Sequence, residues 1–261
     1  LTWKPLVAGL EEGAKYALAI GAACACVGLI LGTLTLSGLG FKFSGAVVEL
    51  AGTVSAWFRA VDPFALFTEV GGKVFFGLVF VAIACIMMGT GVPTTPTYII
   101  LASIAAPALA TLGVPLIATH FFVFYYGVLA DVTPPVALAA YAAAGIAGSE
   151  PMRTGLTAFR LSMGKALVPF MFVYTPALLF IDFTWTAFVS AAFCGVVGIT
   201  ALSAAYIGWF RAPLNRAEKI ALTIAGLMLV FNQFWPNLVG LAVVFSVLGW
   251  NAVSARRQPQ R

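Results

Sequence analysis

The chain has 261 residues, of which 62% are hydrophobic and 9% are charged, and its mean hydropathy is +1.03. Soluble globular proteins carry about 25% charged residues, so this composition excludes that class and predicts an integral membrane protein. The net charge of +5 does not indicate a nucleic-acid partner, because the basic residues stand at the ends of apolar segments, as they do in the cytoplasmic loops of membrane proteins.

The apolar segments are continuous and lack the short polar and apolar alternation of a transmembrane β-strand. They therefore predict an all-α membrane protein. Because about 20 apolar residues cross the hydrocarbon core, the chain has room for about six to nine membrane-embedded segments.

The chain begins with a charged segment at 1–15 and an uncharged span at 16–36, and charges then recur among apolar residues from 38 to 73. In this third segment Phe43 and Val47 open a series of apolar residues at helical spacing. The pattern predicts an amphipathic helix that lies along the membrane interface or packs beside the helix bundle.

The longest apolar run, residues 74–130, contains no Asp, Glu, Lys or Arg, yet glycine and proline interrupt it at 88–96 and again directly after it, at 130–135. The first break comes about fifteen residues into the run, or about 22 Å of helix, which is short of the approximately 30 Å core. We therefore predict a re-entrant helical hairpin at about 74–112 and a discontinuous transmembrane helix at about 116–147.

The two breaks have the composition of an ion or solute site. Lipid cannot satisfy freed backbone groups, so non-helical backbone at membrane depth lies inside protein or beside a polar cavity. Gly89 and Gly91 permit backbone conformations that other residues resist, and the neighbouring carbonyls and threonine hydroxyls offer oxygen ligands to a hard cation. The start of the following helix directs its positive end at an anion. The alternative interpretation is a purely structural turn.

Asp131 is the only acidic residue between Lys73 and Glu150. A carboxylate at the bilayer centre costs about 3 kcal/mol on insertion scales, which favours a functional role. The alternative is a cap for the half-helix that starts at Pro134. His120 is the sole histidine, and it lies about 16 Å from Asp131 along a helix. This distance favours a packed or substrate-lining side chain over a direct partner of the carboxylate.

These features predict two overlapping sets of site residues. The predicted cation ligands are Gly89, Gly91, Thr94, Thr95, Asp131 and Thr133. The predicted solute contacts are Thr90, Pro93, Thr94, Pro134, Pro135 and His120.

Enzymatic activity is not predicted. The chain has no G-x-x-x-x-G-K-[ST] phosphate loop, and no serine has a glycine two residues before and two residues after it. Its four cysteines lie in apolar runs, where free thiols act as small hydrophobic side chains, and they predict neither a disulfide nor a metal site. These cysteines are Cys24, Cys26, Cys85 and Cys194.

Two more apolar helices follow the second break. The first is predicted at 166–181, with kinks at Pro169 and Pro176, and the second is a span at 183–210.

The last apolar segment, 220–253, is ambiguous. Basic residues stand at both of its ends, which favours a hairpin of two segments that meet at 232–237, but each arm would be short for a full crossing. One kinked helix and a hairpin both remain open.

Several sequence segments resemble those of a known family. They are the first break at 89–95, the segment 120–141 around the second break, and the short stretches at 145–148 and 159–161. Over residues 87–179 the chain resembles the large membrane subunit of tripartite ATP-independent periplasmic (TRAP) transporters. Within that family it is similar to the subclass served by TAXI-type solute receptors.

The resemblance implies a subunit built from two inverted repeats, each with a re-entrant hairpin and a discontinuous helix. Residues 1–182 would form the second repeat, and 183–261 would be a C-terminal transmembrane extension. The serine- and glycine-rich hairpin of the family's first repeat is not found in the sequence. The resemblance therefore predicts the C-terminal half of a fused permease.

The resemblance also implies cation-coupled uptake, driven by Na⁺ or H⁺, through an elevator-like movement. The expected solute is a small organic anion such as a dicarboxylate, delivered by a periplasmic TAXI-type solute-binding protein. The expected membrane partners are a small membrane subunit or segment and the N-terminal half of the permease, in the bacterial inner membrane. No cofactor other than the coupling ion is expected. The alternative is a non-transporting scaffold or assembly subunit whose breaks only shape helix packing.

Overall fold

The computed structural model describes residues 3–61, 68–230 and 234–257. These residues are predominantly helical and form no strand, which confirms the prediction of an all-α chain. Five of the described helices are long and apolar enough to cross a membrane, or six if one bent pair forms a single span. The chain is therefore a multi-pass membrane protein.

Twelve α-helices follow one another through the described residues, with short 3₁₀ turns at Gly164–Leu167 and Pro176–Leu179. The helices are α1 Trp3–Ser37, α2 Leu39–Val61, α3 Glu69–Gly89, α4 Thr94–Ile104, α5 Ala106–Thr111, α6 Leu116–Ala130, α7 Leu138–Ala147, α8 Pro151–Ser162, α9 Val168–Tyr174, α10 Trp185–Ile207, α11 Arg216–Val230 and α12 Phe234–Arg257.

The helices group into two compact units. The first unit comprises residues up to 114 together with 126–131, and the second comprises 115–125 together with the residues from 132 onward. The division at 182 expected from the family resemblance concerns an internal repeat, which compactness does not test, and it stays a prediction.

In the first unit, α2 runs antiparallel to α3. The Arg59 guanidinium Nη1 lies 3.9 Å from Glu69 Oε2, and a Cβ added to Gly77 would lie 3.8 Å from the Ala51 Cβ. The C-terminal end of α2 thus meets the start of α3, and Ala51 near the middle of α2 meets Gly77 farther along α3, so the two helices run in opposite directions. Of the two arrangements predicted for residues 38–73, α2 adopts the one that packs beside other helices.

Helix α3 forms a helical hairpin with α4 and α5. Gly77 packs against Leu112 at the open end of this hairpin, and Gly89 packs against Thr97 at its tip. Helix α3 and the pair α4–α5 are therefore antiparallel arms joined by a short turn, and the re-entrant character of the hairpin stays a prediction.

The first arm of the hairpin is longer than the sequence pattern predicted. Helix α3 begins at Glu69, because the Thr68 hydroxyl accepts a 3.1 Å hydrogen bond from the Gly71 amide and caps a charged first turn in which Lys73 Nζ lies 2.9 Å from Glu69 Oε1. Its 21 residues extend about 31 Å at 1.5 Å per residue. This length suffices for a full crossing, so helix length no longer distinguishes a re-entrant arm from a spanning one.

In the second unit, the first half of α6 packs on α9 through aromatic side chains. Phe121 meets Phe172 with ring centroids 5.9 Å apart, and Phe122 meets Phe170 at 5.5 Å, both edge to face. This is the geometry that aromatic pairs prefer. Phe122 is fully buried, so these contacts form part of the core of the unit.

The single kinked helix predicted at 166–181 is wrong in its extent. Helix α9 ends at Tyr174, and Pro176 begins a separate 3₁₀ turn, because a proline has no amide hydrogen with which to continue an α-helix. Pro169 does not kink a helix either. It lies in the first turn of α9, where no intrahelical bond needs its missing amide.

The chain ends in a bundle of three consecutive antiparallel helices, α10 to α12. Between α10 and α11, a Cβ on Gly198 would lie 3.3 Å from the Gly226 carbonyl oxygen. Between α11 and α12, a Cβ on Gly240 would lie 3.1 Å from the Ala225 carbonyl oxygen. Residues 220–253 therefore form a hairpin and not one kinked helix. The junction predicted at 232–237 falls partly on residues 231–233, which lie outside the described residues.

One buried side chain fastens the α10–α11 loop to α12. The Asn251 side-chain oxygen accepts hydrogen bonds from the Arg211 and Ala212 amides, both at 3.1 Å. Its side-chain nitrogen donates to the Ala212 carbonyl at 3.2 Å. Because Asn251 is only 3% exposed, it satisfies loop backbone groups that have little access to water.

We predict that Asn251→Ala destabilises the protein by about 1–3 kcal/mol, because it leaves two amides and a carbonyl without their partner. The control is Ser246→Ala on the same helix, whose exposed hydroxyl bonds only to the Ala242 carbonyl one turn earlier; it should stay within about 0.5 kcal/mol. Thermal unfolding in detergent measures both variants. Equal midpoints would contradict the role assigned to Asn251.

Candidate functional site

The first break is a short turn of backbone between two helices. Helix α3 ends at Gly89, Gly91 takes a left-handed conformation with φ of +82°, and α4 begins at Thr94. Glycine adopts this φ without steric cost, whereas a side chain is strained there. Gly91 is therefore a position at which the backbone conformation of the break requires glycine, as predicted.

The tip of the hairpin packs against the end of α6. A Cβ added to Gly89 would lie 2.7 Å from the Ala130 Cβ and 3.3 Å from the Gly127 carbonyl oxygen. On the other side of this contact, a Cβ on Gly127 would lie 3.3 Å from Thr97 Cγ2. Glycines on both helices thus permit an approach that two larger residues would block. Asp131, the next residue after Ala130, belongs to the same compact unit as the tip.

The threonines of the first break divide into two groups. The Thr90 hydroxyl donates to the Met87 carbonyl at 2.8 Å, and the buried Thr97 hydroxyl donates to the Val92 carbonyl at 3.1 Å. Thr94 and Thr95, in contrast, make no side-chain hydrogen bond within the described part of the chain. Two hydroxyls therefore hold the turn, and two are available to a ligand.

The start of α4 leaves backbone donors available. Its N-cap residue is Pro93, and no side chain caps the helix. The first amide to bond back along the chain is that of Thr97, which donates to the Pro93 carbonyl at 3.0 Å. The amides of Thr94 and Thr95 precede it, and such amides together with the helix dipole favour an anion.

The Asp131 carboxylate has no protein cation beside it. The ion pairs of the described residues all involve Glu11, Glu12 or Glu69, and Asp131 is partly buried. A carboxylate that is removed from water needs a compensating charge or donors. Its backbone amide donates to the Val128 carbonyl at 3.2 Å, which ends α6.

The second break continues in the second unit and is held by two neighbouring helices. The Tyr141 hydroxyl of α7 donates to the Pro135 carbonyl at 2.6 Å. From α8, Gly155 faces the break, and a Cβ there would lie 3.7 Å from Pro134 Cγ and 3.4 Å from Ala137 Cβ. Ala137 itself has φ of +26°, a strained conformation of the kind that surrounding packing sustains at ligand sites.

The remaining predicted residues take different positions. Thr133 is 8% exposed and its carbonyl accepts a 3.2 Å hydrogen bond from the Ala137 amide, so it belongs to the turn of the second break. The Pro134–Pro135 peptide bond is cis. His120 lies in the other unit from the hairpin tip, ten residues before the end of α6, or about 15 Å along the helix axis.

Sequence reasoning missed the residues that support the two breaks. Tyr141, Gly155 and Thr97 lie outside both predicted sets. The available signal was the count of backbone carbonyls freed by each break, since each needs a donor. Among the described residues no three His, Cys, Asp or Glu side chains form a metal-binding cluster, so any cation here would be held by hydroxyl, carbonyl and single carboxylate oxygens.

We predict that Gly89→Ala destabilises the protein by about 1–3 kcal/mol, because overpacking forces the hairpin tip and α6 apart. Gly28→Ala in α1 is the control, since no atom lies within 4 Å of the added Cβ and alanine favours a helix by about 1 kcal/mol. The double variant Gly89→Ala/Ala130→Gly should recover part of the loss. Thermal unfolding measures these three variants and Ala130→Gly alone. If the loss of stability in the double variant equalled the sum of the losses in Gly89→Ala and Ala130→Gly, the contact would be contradicted.

A family model described as the tripartite ATP-independent periplasmic transporter, DctM component, matches residues 1–187 of the chain. No curated protein and no solved structure matches the chain. The matched region includes α1 to α9 and both helix breaks. Since it covers well over half of the chain, the protein belongs to the family of the DctM component of TRAP transporters, which is a family of transporters and not of enzymes.

Proposed function

We propose that the chain is a permease subunit of a secondary active transporter, and that its two helix breaks bind a coupling cation and a small organic anion. Family membership supports this proposal, because the DctM component belongs to a transporter that does not use ATP. A carrier that accumulates a solute without ATP draws its free energy from an ion gradient. The observation that carries the proposal is the contact between the hairpin tip and the end of α6.

The proposed cation site comprises oxygen atoms of the first break together with Asp131. Within the described residues, the hydroxyls of Thr94 and Thr95 make no hydrogen bond. The turn at Gly89 and Gly91 frees backbone carbonyls. These are the neutral oxygen ligands found where transporter helices unwind. Asp131 adds a negative charge without a protein partner. A monovalent hard cation such as Na⁺ suits this set, and a proton on Asp131 is the alternative coupling ion.

The proposed anion site lies at the start of α4. The uncapped amides after Pro93 are donors for a carboxylate, and the Thr94 hydroxyl lies in the same turn. The Thr90 hydroxyl donates to the Met87 carbonyl, so we propose Thr90 as a solute contact only by its place in this turn. A cation bound nearby would strengthen this site by attraction. An anionic solute of carboxylate chemistry therefore fits better than a cationic one.

The remaining residues of the proposal belong to the second unit. Thr133 follows Asp131 by two residues, and Pro134 and Pro135 lack amides and leave carbonyls of the unwound segment open. We propose Thr133 as a cation ligand and the proline pair as solute contacts. His120 is proposed only as a side chain lining the solute path, because it lies away from the break.

Family membership implies a periplasmic solute-binding protein and a small membrane subunit as partners. We propose a TAXI-type receptor for the first of these, and the bacterial inner membrane as the location. We also propose that the chain supplies the second of two inverted repeats with a re-entrant hairpin, that an N-terminal half of the permease supplies the other, and that transport follows an elevator-like movement. The support for these finer proposals is the sequence resemblance over 87–179.

The test of the proposal is cation-dependent uptake by the assembled transporter in proteoliposomes. Thr94→Val, Thr95→Val and Thr133→Val remove hydroxyl ligands at nearly constant volume, and Asp131→Asn removes the charge. We expect at least tenfold weaker apparent cation affinity for the charge variant, since a charge-assisted contact is worth about 1.5–3 kcal/mol. Combining the three threonine substitutions should abolish uptake.

Thr111→Val is the matched control for the threonine substitutions. Its hydroxyl bonds to the Ala108 carbonyl at 2.7 Å at the open end of the hairpin, so uptake should be unchanged. Unaltered cation affinity in the threonine and aspartate variants would refute the proposed ligands. A wild-type protein without any cation- or solute-dependent stabilisation would favour the scaffold alternative, because a ligand that binds the native state raises its stability.

A further inference from the structure

The last part of the chain carries all of its net charge. Residues 183–261 contain six basic residues and one acidic residue, which equals the +5 of the whole chain. Residues 188–261 also lie beyond the family match, so membership in the family does not account for this charge. The basic residues are Arg211, Arg216, Lys219, Arg256, Arg257 and Arg261, and the acidic residue is Glu218.

The described basic residues gather at one end of the α10–α12 bundle. Arg211 lies in the α10–α11 loop and Arg216 begins α11, while Asn251 bonds the same loop to α12. Helix α12 then continues to Arg257, about 9 Å beyond Asn251 at 1.5 Å per residue. Arg261 lies outside the described residues. Basic residues thus lie at a common end of the bundle, in the α10–α11 loop, at the start of α11 and at the end of α12.

The single acidic residue does not neutralise this end. The Glu218 carboxylate Oε2 accepts a 2.8 Å hydrogen bond from the Asn215 amide, and Asn215 Oδ1 accepts one of 2.8 Å from the Glu218 amide. This reciprocal cap directs the carboxylate at the backbone. Among the described residues, the ion pairs include neither Arg211 nor Arg216, and both side chains are exposed.

Lys219 has a structural role that separates it from the two arginines. Gly208 ends α10 with φ of +78°, and a Cβ there would lie 2.6 Å from the Lys219 ammonium nitrogen. The ammonium therefore lies over the C-terminus of α10, where a cation is favourable. Among the basic side chains that the structure describes at this end, Arg211 and Arg216 are exposed.

Exposed aromatic side chains lie at the same end of the bundle as these arginines. Trp209 and Phe210 immediately precede Arg211 and are 53% and 37% exposed, and Trp250, next to Asn251, is 66% exposed. Tryptophan is enriched where membrane meets water, with its ring at the level of the lipid headgroups. Helix α10 has 23 residues and is apolar enough to cross a membrane; this is about 35 Å of helix, so its C-terminal end lies at an interface. The basic residues make this the cytoplasmic interface.

We propose that Arg211 and Arg216, flanked by Trp209 and Trp250, bind the phosphate group of an anionic phospholipid in the cytoplasmic leaflet. Charge complementarity selects this partner, because Arg211 and Arg216 are exposed basic side chains without an ion pair among the described residues, and Glu218 is bound as a helix cap. Arginine presents a planar fork of donors that matches phosphate oxygens. The hydrogen bonds of Asn251 keep the loop in place, which lowers the entropic cost of binding.

The experiment titrates the full-length chain in detergent micelles with phosphatidylglycerol or phosphatidylcholine and records the thermal unfolding midpoint. The variant Arg211→Gln/Arg216→Gln removes two charges from the surface. Each basic residue near an anionic surface contributes about fivefold in affinity, so the variant should need about 25-fold more phosphatidylglycerol for half-maximal stabilisation. Added salt should weaken the wild-type effect by screening.

Three controls separate this surface from general electrostatics. Lys4→Gln/Lys42→Gln removes two exposed cations of the first unit and should leave the titration unchanged. Arg211→Lys/Arg216→Lys keeps the charge and removes the planar fork of donors, so its stabilisation should lie between those of the wild type and the glutamine variant. Inorganic phosphate should not reproduce it. Equal stabilisation of the wild type by both lipids, equal losses in the two glutamine variants, or stabilisation by phosphate alone would each overturn the proposal.

Discussion

Every backbone group released at a helix break inside a membrane needs a partner from the protein, because hydrocarbon offers none. Within the described residues, hydroxyls satisfy carbonyls at both breaks: Thr90 bonds to the Met87 carbonyl, Thr97 to the Val92 carbonyl and Tyr141 to the Pro135 carbonyl. These bonds separate the side chains that hold the breaks from those that remain for a ligand. The candidate site is what is left after the backbone has been satisfied, and this gives Thr94, Thr95 and Asp131 their place in the proposed function.

Glycines at the helix contacts let the backbones of the two breaks approach neighbouring helices closely. At Gly89 the hairpin tip approaches Ala130 to a distance that no added Cβ permits, and at Gly155 helix α8 leaves room for the unwound segment. Such contacts fix backbone positions tightly, because packed interiors have few voids that absorb a displacement. A binding site built from carbonyls depends on that rigidity, since backbone oxygens cannot adjust as a flexible side chain does. The stability of the tip contact and the affinity for a cation are therefore expected to change together.

The two parts of the chain use charge in opposite ways. Residues 74–130 have none, and no ion pair of the described residues includes the carboxylate of Asp131 that follows them. The C-terminal bundle concentrates basic residues at one end and uses its only acid as a helix cap. The first arrangement suits selective binding of an ion, and the second suits a fixed orientation in the membrane and contact with anionic lipid. Both follow from the high cost of placing unpaired charge in hydrocarbon.

The sequence by itself determined the membrane class, the all-α fold, the positions of both helix breaks and the hairpin formed around the first, because composition and helix period are local properties. It did not determine where α3 begins, since the Thr68 cap extends that helix through a charged turn. Nor did it divide the threonines, because Thr94 and Thr97 are chemically identical and differ only in what folds against them. The sequence also left a hairpin and one kinked helix as alternatives for 220–253. The contacts of Gly240 with Ala225 and of Asn251 with the α10–α11 loop decide for the hairpin. Each of these outcomes depends on contacts between distant residues, which only the tertiary structure brings together.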